Sequence, residues 1–338
     1  MTPYQHHEEL LFNRLSKRYR HLKKWARRIG INAFRLYDRD IPEIPLVLDL
    51  YGDAVSGALY RRPVGSGEAE QDSPDEKYSE AWLLSMRAVA AKALGIPENH
   101  IFLKERRRMA RRQNGFQYDK VSAQSFYRDV HEGDMSFRVN LSDYLDTGLF
   151  LDSRKKRALI RSSAAGKRVL NLFAYTCSLS VCAAKGGARQ VDSLDLSNTY
   201  LEWGRVNFAL NALEAVYTGG DINLIRGDVI QFISDAAKKR QRWDIIILDP
   251  PAFSNSKKMR DTLDIRRDHR ELIHHCLSLL SPGGTLWFSS NARGVSLESG
   301  DFTDYSVEDM KARLTDEDFK GKRIPACYTL SQKAGDTP

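Results

Sequence analysis

The chain has 338 residues, 42% of them hydrophobic and 28% charged, with a formal net charge of +8. That length accommodates two domains, each burying a core of its own. No apolar run approaches the roughly 20 residues of a membrane span, residues 1–9 lack an apolar leader segment, and the four scattered cysteines have no CxxC spacing, which argues against a disulfide framework or zinc site and for a reducing cytoplasm.

Residues 7–29 read as an amphipathic helix, with Leu10, Leu11, Leu15, Leu22 and Trp25 near helical spacing and Gly30 as its stop. Short strands follow at 32–37, 46–50 and 55–60, the last two joined by the turn Tyr51-Gly52-Asp53. A Gly-, Pro-, Ser- and acid-rich loop (61–76) leads to a helix over 76–94, ended by Gly95. Strands at 100–104, 126–131 and 136–140 complete a small α+β module, with a polar, basic loop over 105–124.

The positive charge is concentrated in this part. Arg14, Lys17, Arg18, Arg20, Lys23, Lys24, Arg27 and Arg28 come with no acid among them. Lys104, Arg106, Arg107, Arg108, Arg111 and Arg112 are accompanied by Glu105 alone. Two such blocks are the footprint expected of a phosphate-backbone partner, although a solvated helix face has the same composition.

After Asn140 the pattern becomes strand–helix alternation: strands at 169–173, 190–196, 223–226, 245–248 and 285–289, with helices at 179–185, 199–213, 229–239 and 265–280. This is the pattern of a doubly wound, mostly parallel α/β sheet, with closing strands at 305–310 and 327–330. The expected organisation is 1–140 as a basic helix plus α+β module, 141–331 as the α/β domain, and 332–338 as a tail.

The fourth of those strands ends in Asp249-Pro250-Pro251-Ala252-Phe253. Two prolines stop the strand, because neither can donate a ladder hydrogen bond and the first forbids a helical Asp249. Unpartnered carbonyls and an aromatic ring then stand at the carboxyl edge, where open α/β sheets bind ligands. Asp195 and Asp228 end the second and third strands at the same relative place, positioned for a ribose and for an adenine amine, although either alone also suits a helix N-cap. The loop after the first strand, 171–180, contains no glycine, which excludes a dinucleotide fingerprint and a Walker loop. A nucleoside-like ligand without phosphates fits this edge, and S-adenosylmethionine is of that kind.

Four stretches carry a resemblance: Asn-Leu-Phe-Ala-Tyr-Thr (171–176), Ser-Asn-Thr-Tyr-Leu-Glu-Trp (197–203), Asp-Pro-Pro-Ala-Phe-Ser-Asn-Ser-Lys-Lys-Met (249–259) and Asp-Tyr-Leu-Asp-Thr-Gly-Leu-Phe-Leu-Asp-Ser-Arg (143–154). Together they closely resemble the C-terminal, guanine-N7 half of the bacterial 23S rRNA methyltransferase K/L family, over nearly the whole chain. The resemblance implies a stand-alone guanine-N7 unit with a class I methyltransferase fold and a seven-stranded sheet. It would use S-adenosylmethionine as donor and 23S rRNA or a precursor large subunit as partner, with a separate guanine-N2 enzyme as a possible companion.

It also implies residue roles. Asn171, Phe173, Ala174, Tyr175 and Thr176 would pass under the methionine moiety, Asp195 with Leu196 and Ser197 would hold the ribose, and Asp228 with Gly227 and Val229 would address the adenine. Thr147, Gly148, Phe150 and Asp152 would cover the cofactor. Asp249, Pro250, Pro251 and Phe253 would face both the methyl donor and the base, with Lys257 and Lys258 toward RNA. The family usually has glycine where this chain has Cys177, whose side chain is expected to point into the following helix.

Guanine N7 has an in-plane lone pair and no proton, so methylation there needs alignment rather than a general base. Nearby carboxylate and carbonyl groups would stabilise the charge the ring gains. Cytosine C5 transfer would require a cysteine thiolate; Ser289-Ser290-Asn291 stands after the fifth strand, and only Cys177 is expected near the cofactor. The same loop chemistry also suits transfer to an exocyclic amine, and the same basic blocks suit a non-catalytic RNA-binding assembly factor. His274-His275 has no third ligand in view and reads as structural, and Tyr200 and Trp203 read as helix packing.

Overall fold

The computed structural model describes residues 3–60, 78–106, 122–217, 219–254 and 263–333. Two compact units divide the chain at Thr147 and Gly148.

In the first unit, α1 (Gln5–Ile29) buries Leu11, Leu15, Leu22 and Trp25 and ends at Gly30, whose φ of 71° closes the last turn. Strands β1 (Ala33–Asp38), β2 (Leu46–Tyr51) and β3 (Ala54–Tyr60) form an antiparallel meander. Helix α2 (Glu80–Leu94), N-capped by Ser79, then crosses over to β4 (Ile101–Arg106), parallel to β3. Leu11, Leu15 and Leu22 of α1 and Trp82 and Met86 of α2 share a core with Leu36, Leu48 and Val55 of the sheet. A hairpin of β5 (Tyr127–Glu132) and β6 (Met135–Asn140) follows.

Residues 141–147 remain with this unit. The Asn140 amide donates to the Thr147 carbonyl at 3.0 Å. The Thr147 hydroxyl donates to that of Tyr51 at 2.8 Å, and Asp143 accepts from the Ser125 amide at 2.9 Å.

The second unit begins with α3 (Arg154–Ser163), which the sequence pattern did not announce. Then come β7 (Arg168–Leu172), α4 (Ser178–Lys185), β8 (Gln190–Asp195), α5 (Asn198–Leu210), β9 (Ile222–Arg226), α6 (Val229–Lys238) and β10 (Trp243–Leu248). Two-residue strands β11 (Phe253–Ser254) and β12 (Leu263–Asp264) pair before α7 (Ile265–Leu277), β13 (Leu280–Ser290), β14 (Tyr305–Asp309), α8 (Lys311–Leu314) and β15 (Ala326–Gln332).

The seven-stranded order is β14-β15-β13-β10-β7-β8-β9, with β13, β10, β7, β8 and β9 parallel, β15 antiparallel beside β13, and β14 antiparallel to β15 at the edge. The chain enters at β7, winds outward through β8 and β9, and returns to β10 on the other side of β7. The order therefore reverses between β7 and β10, the place where such sheets bind ligands. Ile245 to Leu248 are at most 1% exposed, as expected of a strand covered on both faces. Residues 281–284, between the expected helix and strand, form a bulge within β13: Trp243 pairs with Leu280, and Ile245 next with Thr285.

Candidate active site

The loop leaving β7 adopts left-handed backbone at three non-glycine residues: Phe173 (φ 57°), Tyr175 (φ 51°) and Cys177 (φ 59°). Each such residue costs on the order of 1–3 kcal/mol and persists only where surrounding bonds overdetermine it. Those bonds are present. The Asp195 carboxylate accepts from the Tyr175 amide at 2.9 Å, and the Leu194 carbonyl from the Ala174 amide at 2.9 Å. The Thr176 hydroxyl donates to the Gly148 carbonyl at 2.6 Å, and the Asn207 amide to the Thr176 carbonyl at 2.8 Å. Asn171 is buried within β7 and donates to Ser180 at 2.8 Å; its amide oxygen has no partner among the described residues. Cys177 turns under the loop toward Gly204 of α5, rather than into α4 as expected. Burial pushes its thiol pKa up.

Asp195 also accepts from the Ser197 amide at 2.8 Å. Burial raises its carboxyl pKa against the lowering effect of backbone N–H groups, with no cation among the causes. Tyr175 stands between two further rings, Phe150 at 5.4 Å and Tyr200 at 4.6 Å, with Phe150 half open to solvent. Tyr200 thus packs on the cofactor loop itself. Trp203 fills the space of a side chain at Gly148, where a Cβ would meet its ring at 2.3 Å. Asp228 caps α6, one oxygen accepting from the Ile230 amide at 2.8 Å and the Gln231 amide at 3.3 Å; its other oxygen has no bond among the described residues. Gly227 donates from its amide to the Asp195 carbonyl at 3.1 Å, and Val229 is buried.

Across the switch point, Asp249 lies one residue beyond β10 and receives the Lys156 ammonium at 2.7 Å. Lys156 also donates to the Ser289 hydroxyl at 2.9 Å, and its side chain is 4% exposed. Burial opposes its charge, but Asp249, together with Cys327 and Asp152, outweighs it and holds the ammonium above the ordinary lysine range. Pro250 is buried and Pro251 half-buried. Phe253 does not lie in an open loop: it pairs with Asp264 in the β11–β12 ladder.

Lys156 was not legible as a site residue. It belongs to the run Arg154-Lys155-Lys156-Arg157, which in sequence looks like a surface patch. In the fold, Arg154 bridges Asp316 at 2.9 Å and Asp318 at 3.1 Å, Lys155 donates to the Thr315 carbonyl, and Arg157 donates to the Phe150 carbonyl. No local signal separates such a run from a solvated one.

One expectation about cysteine needs correction. Cys327 stands opposite Ser289 in the β13–β15 register, so a second cysteine lies at the carboxyl edge. The antiparallel return of β15 brings it there, which strand counting along the parallel part could not reveal. Burial pushes its thiol pKa up to about 12, so it is not a thiolate near neutral pH.

The basic residues of α1 separate into two sets. Arg14 pairs with Asp40 at 2.8 Å, and Arg18 donates to the Leu36 carbonyl at 3.4 Å. Lys17, Arg20, Lys23, Lys24, Arg27 and Arg28 are exposed. Lys104 donates to the Tyr144 carbonyl, and Arg106 extends β4. Arg107, Arg108, Arg111, Arg112, Lys257 and Lys258 lie outside the described residues.

An acid after each of three parallel strands, a bent glycine-free loop and a proline-terminated switch strand define an α/β transferase that takes a nucleoside cofactor. Asp195, with only backbone donors and remaining lone pairs, suits ribose hydroxyls, and the aromatic row beside it suits an uncharged organic ligand. The family model for S-adenosylmethionine-dependent methyltransferase matches residues 85–303. The chain is 42% identical over 328 residues to the ribosomal RNA large subunit methyltransferase K of Neisseria meningitidis serogroup B, covering 95% of this chain and 87% of that one. It is also 42% identical to the ribosomal RNA large subunit methyltransferase K/L of Ectopseudomonas mendocina, covering 92% of this chain but only 40% of that longer protein. A solved structure described as a putative methyltransferase complexed with SAH superposes with a TM-score of 0.70 at 24% identity, covering 96% of this chain and 81% of that one.

The chain therefore belongs to the S-adenosylmethionine-dependent methyltransferases, in the family of ribosomal RNA large subunit methyltransferase K. S-adenosylmethionine is its cofactor, supplying an electrophilic methyl group when bound. Among the described residues no helix is long and apolar enough to cross a membrane.

Proposed function

We propose that this enzyme methylates N7 of a guanine in 23S rRNA by direct transfer, without removal of a proton. The supporting observation is the ion pair between Asp249 and Lys156. A carboxylate oxygen already engaged by a buried ammonium is not free to accept a proton from the base, which suits an acceptor atom that carries no proton. A thiolate for C5 chemistry is disfavoured by the raised pKa of Cys327 and of Cys177.

In this reading Asp195 orients the cofactor ribose, and the second oxygen of Asp228 takes the adenine amine. Asn171, Phe173 to Thr176, Gly148 and Phe150 shape the methionine end, with Asp152 at its margin. Pro250, Pro251 and Phe253 bound the base. Lys156 and Asp249 balance one another, so the buried ammonium sets no net positive charge against the ring that becomes cationic. The exposed lysines and arginines of α1 hold the RNA backbone, in free rRNA or a precursor subunit in the cytoplasm, and a separate guanine-N2 enzyme acts on the same RNA.

The test uses radiolabelled S-adenosylmethionine with deproteinised large-subunit rRNA from cells lacking the gene, followed by nucleoside identification. Label in 7-methylguanosine, lost in Asp249→Ala, is the expected result. Label in 5-methylcytidine or in an N2-methylated guanosine would replace the target while keeping the enzyme.

A further inference from the structure

Resting on the guanine-N7 reading, the geometry points to a specificity-determining role for Lys156: we propose that its third N–H is the donor that the site presents to O6 of the target guanine. The Hoogsteen edge of guanine offers N7 and O6, both acceptors. The motif that would face it offers the Asp249 carboxylate and backbone carbonyls, also acceptors. Acceptor against acceptor repels, so a site assembled from that motif alone would turn this edge away.

Lys156 supplies what is missing. An ammonium has three donors. Two are used, toward Asp249 at 2.7 Å and Ser289 at 2.9 Å, and the third has no acceptor among the described residues. The side chain lines a narrow cleft with Asp152, Ser289 and Cys327, walled by Leu314, Ile324 and Pro325. That cleft admits a projecting oxygen atom more readily than a ring.

Its position is rigid, because the first turn of α3 is fixed on both sides of it: Arg154 to Asp316 and Asp318, Lys155 to Thr315, Arg157 to Phe150. Because Asp249 offsets its charge, the donor comes without a net positive field at the nitrogen that acquires charge. The same N–H opposes an exocyclic amine, which would present a donor to a donor. Lys156 would thus separate the N7–O6 edge from the N1–N2 edge of one base.

The experiment places inosine (O6 kept, N2 amine lost) or 2-aminopurine (O6 lost, N7 kept) at the mapped target in a synthetic RNA, for wild type and Lys156→Met. Wild type is expected to methylate inosine nearly as well as guanosine and to lose about tenfold or more in kcat/KM on 2-aminopurine, the magnitude of one good base-edge contact. In Lys156→Met that discrimination should vanish, while S-adenosylhomocysteine affinity by calorimetry stays close to wild type and reports an intact fold. Wild type indifferent to the loss of O6, or full discrimination in Lys156→Met, would overturn the proposal. The wild-type comparison decides even if the variant does not fold. Absence of 7-methylguanosine on the natural RNA would instead remove the guanine-N7 reading itself.

Discussion

Cys177 and Gly204 are fitted to one another: a Cβ at position 204 would lie 2.5 Å from the Cys177 sulfur and 3.0 Å from its Cβ. A helix interior ordinarily prefers alanine over glycine by about 1 kcal/mol. Here the side chain occupying that space comes from the cofactor loop. The Cys177 thiol is accommodated against the neighbouring helix.

Gly204→Ala is therefore expected to destabilise the protein by about 1–3 kcal/mol, overpacking outweighing helix propensity. Cys177→Gly relieves the left-handed strain at φ 59° but removes a buried side chain, and should change stability by less than about 1 kcal/mol. In the double variant the alanine should become neutral or stabilising. Urea unfolding of the four proteins measures the coupling, and additive effects would show that the two residues do not share the space.

Asp195 predicts a pH dependence. Burial raises its native pKa above the unfolded value. Between those two values the native state holds a proton that the unfolded chain has released, so its contribution to stability falls as pH rises through the window. Ribose hydroxyls donating to the carboxylate favour the ionised form. S-adenosylhomocysteine affinity should accordingly increase with pH over the same window and then level off. Asp195→Asn should bind weakly and without that slope, as titration calorimetry at a series of pH values from the ordinary carboxylate range upward would reveal.

Arg154 sits with Asp316 and Asp318, the latter fully buried. Removing the guanidinium leaves two carboxylates without their shared cation. Arg154→Met should cost about 3–5 kcal/mol in urea unfolding. If Lys156 is held through α3, activity should fall more steeply than S-adenosylhomocysteine affinity at temperatures where the variant remains folded.

The basic residues of α1 should separate by assay. Lys24→Gln and Arg28→Gln, both exposed, should weaken RNA binding and reduce the slope of log affinity against log salt by about 0.7–0.9 for each phosphate no longer neutralised. Arg14→Gln removes a pair with the side chain of Asp40 and should register in stability, by about 1 kcal/mol or less, with little change in the salt slope. Filter binding at several salt concentrations distinguishes the two.

Much of the fold was legible because its signals are local. The unbroken apolar run of β10, the helical spacing of Leu11, Leu15 and Leu22, and the stops at Gly30 and Gly95 each report on one element and its immediate flanks. Elements whose pairing interrupts or defies the pattern were not legible. The bulge in β13 looks like a turn because four residues lack partners within a longer strand. Phe253 looks like loop because its strand partner lies beyond the segment that follows. Helix α3 was invisible because its buried face carries arginine and lysine, stabilised by acids more than 90 positions away in sequence, such as Asp249 with Lys156 (|i−j| = 93).

The sequence by itself determined the alternation that winds the sheet and the acids that end its strands, because side-chain periodicity and proline chemistry act within a few residues. It also determined that β7 and β10 would each deliver a loop to one edge. Only the tertiary structure decided which charges are available there. Lys156 sits against Asp249, Cys327 arrives opposite Ser289, and Arg14 turns to Asp40. A charge buried in the fold takes its meaning from partners distant in the chain, and composition cannot distinguish it from one left in water.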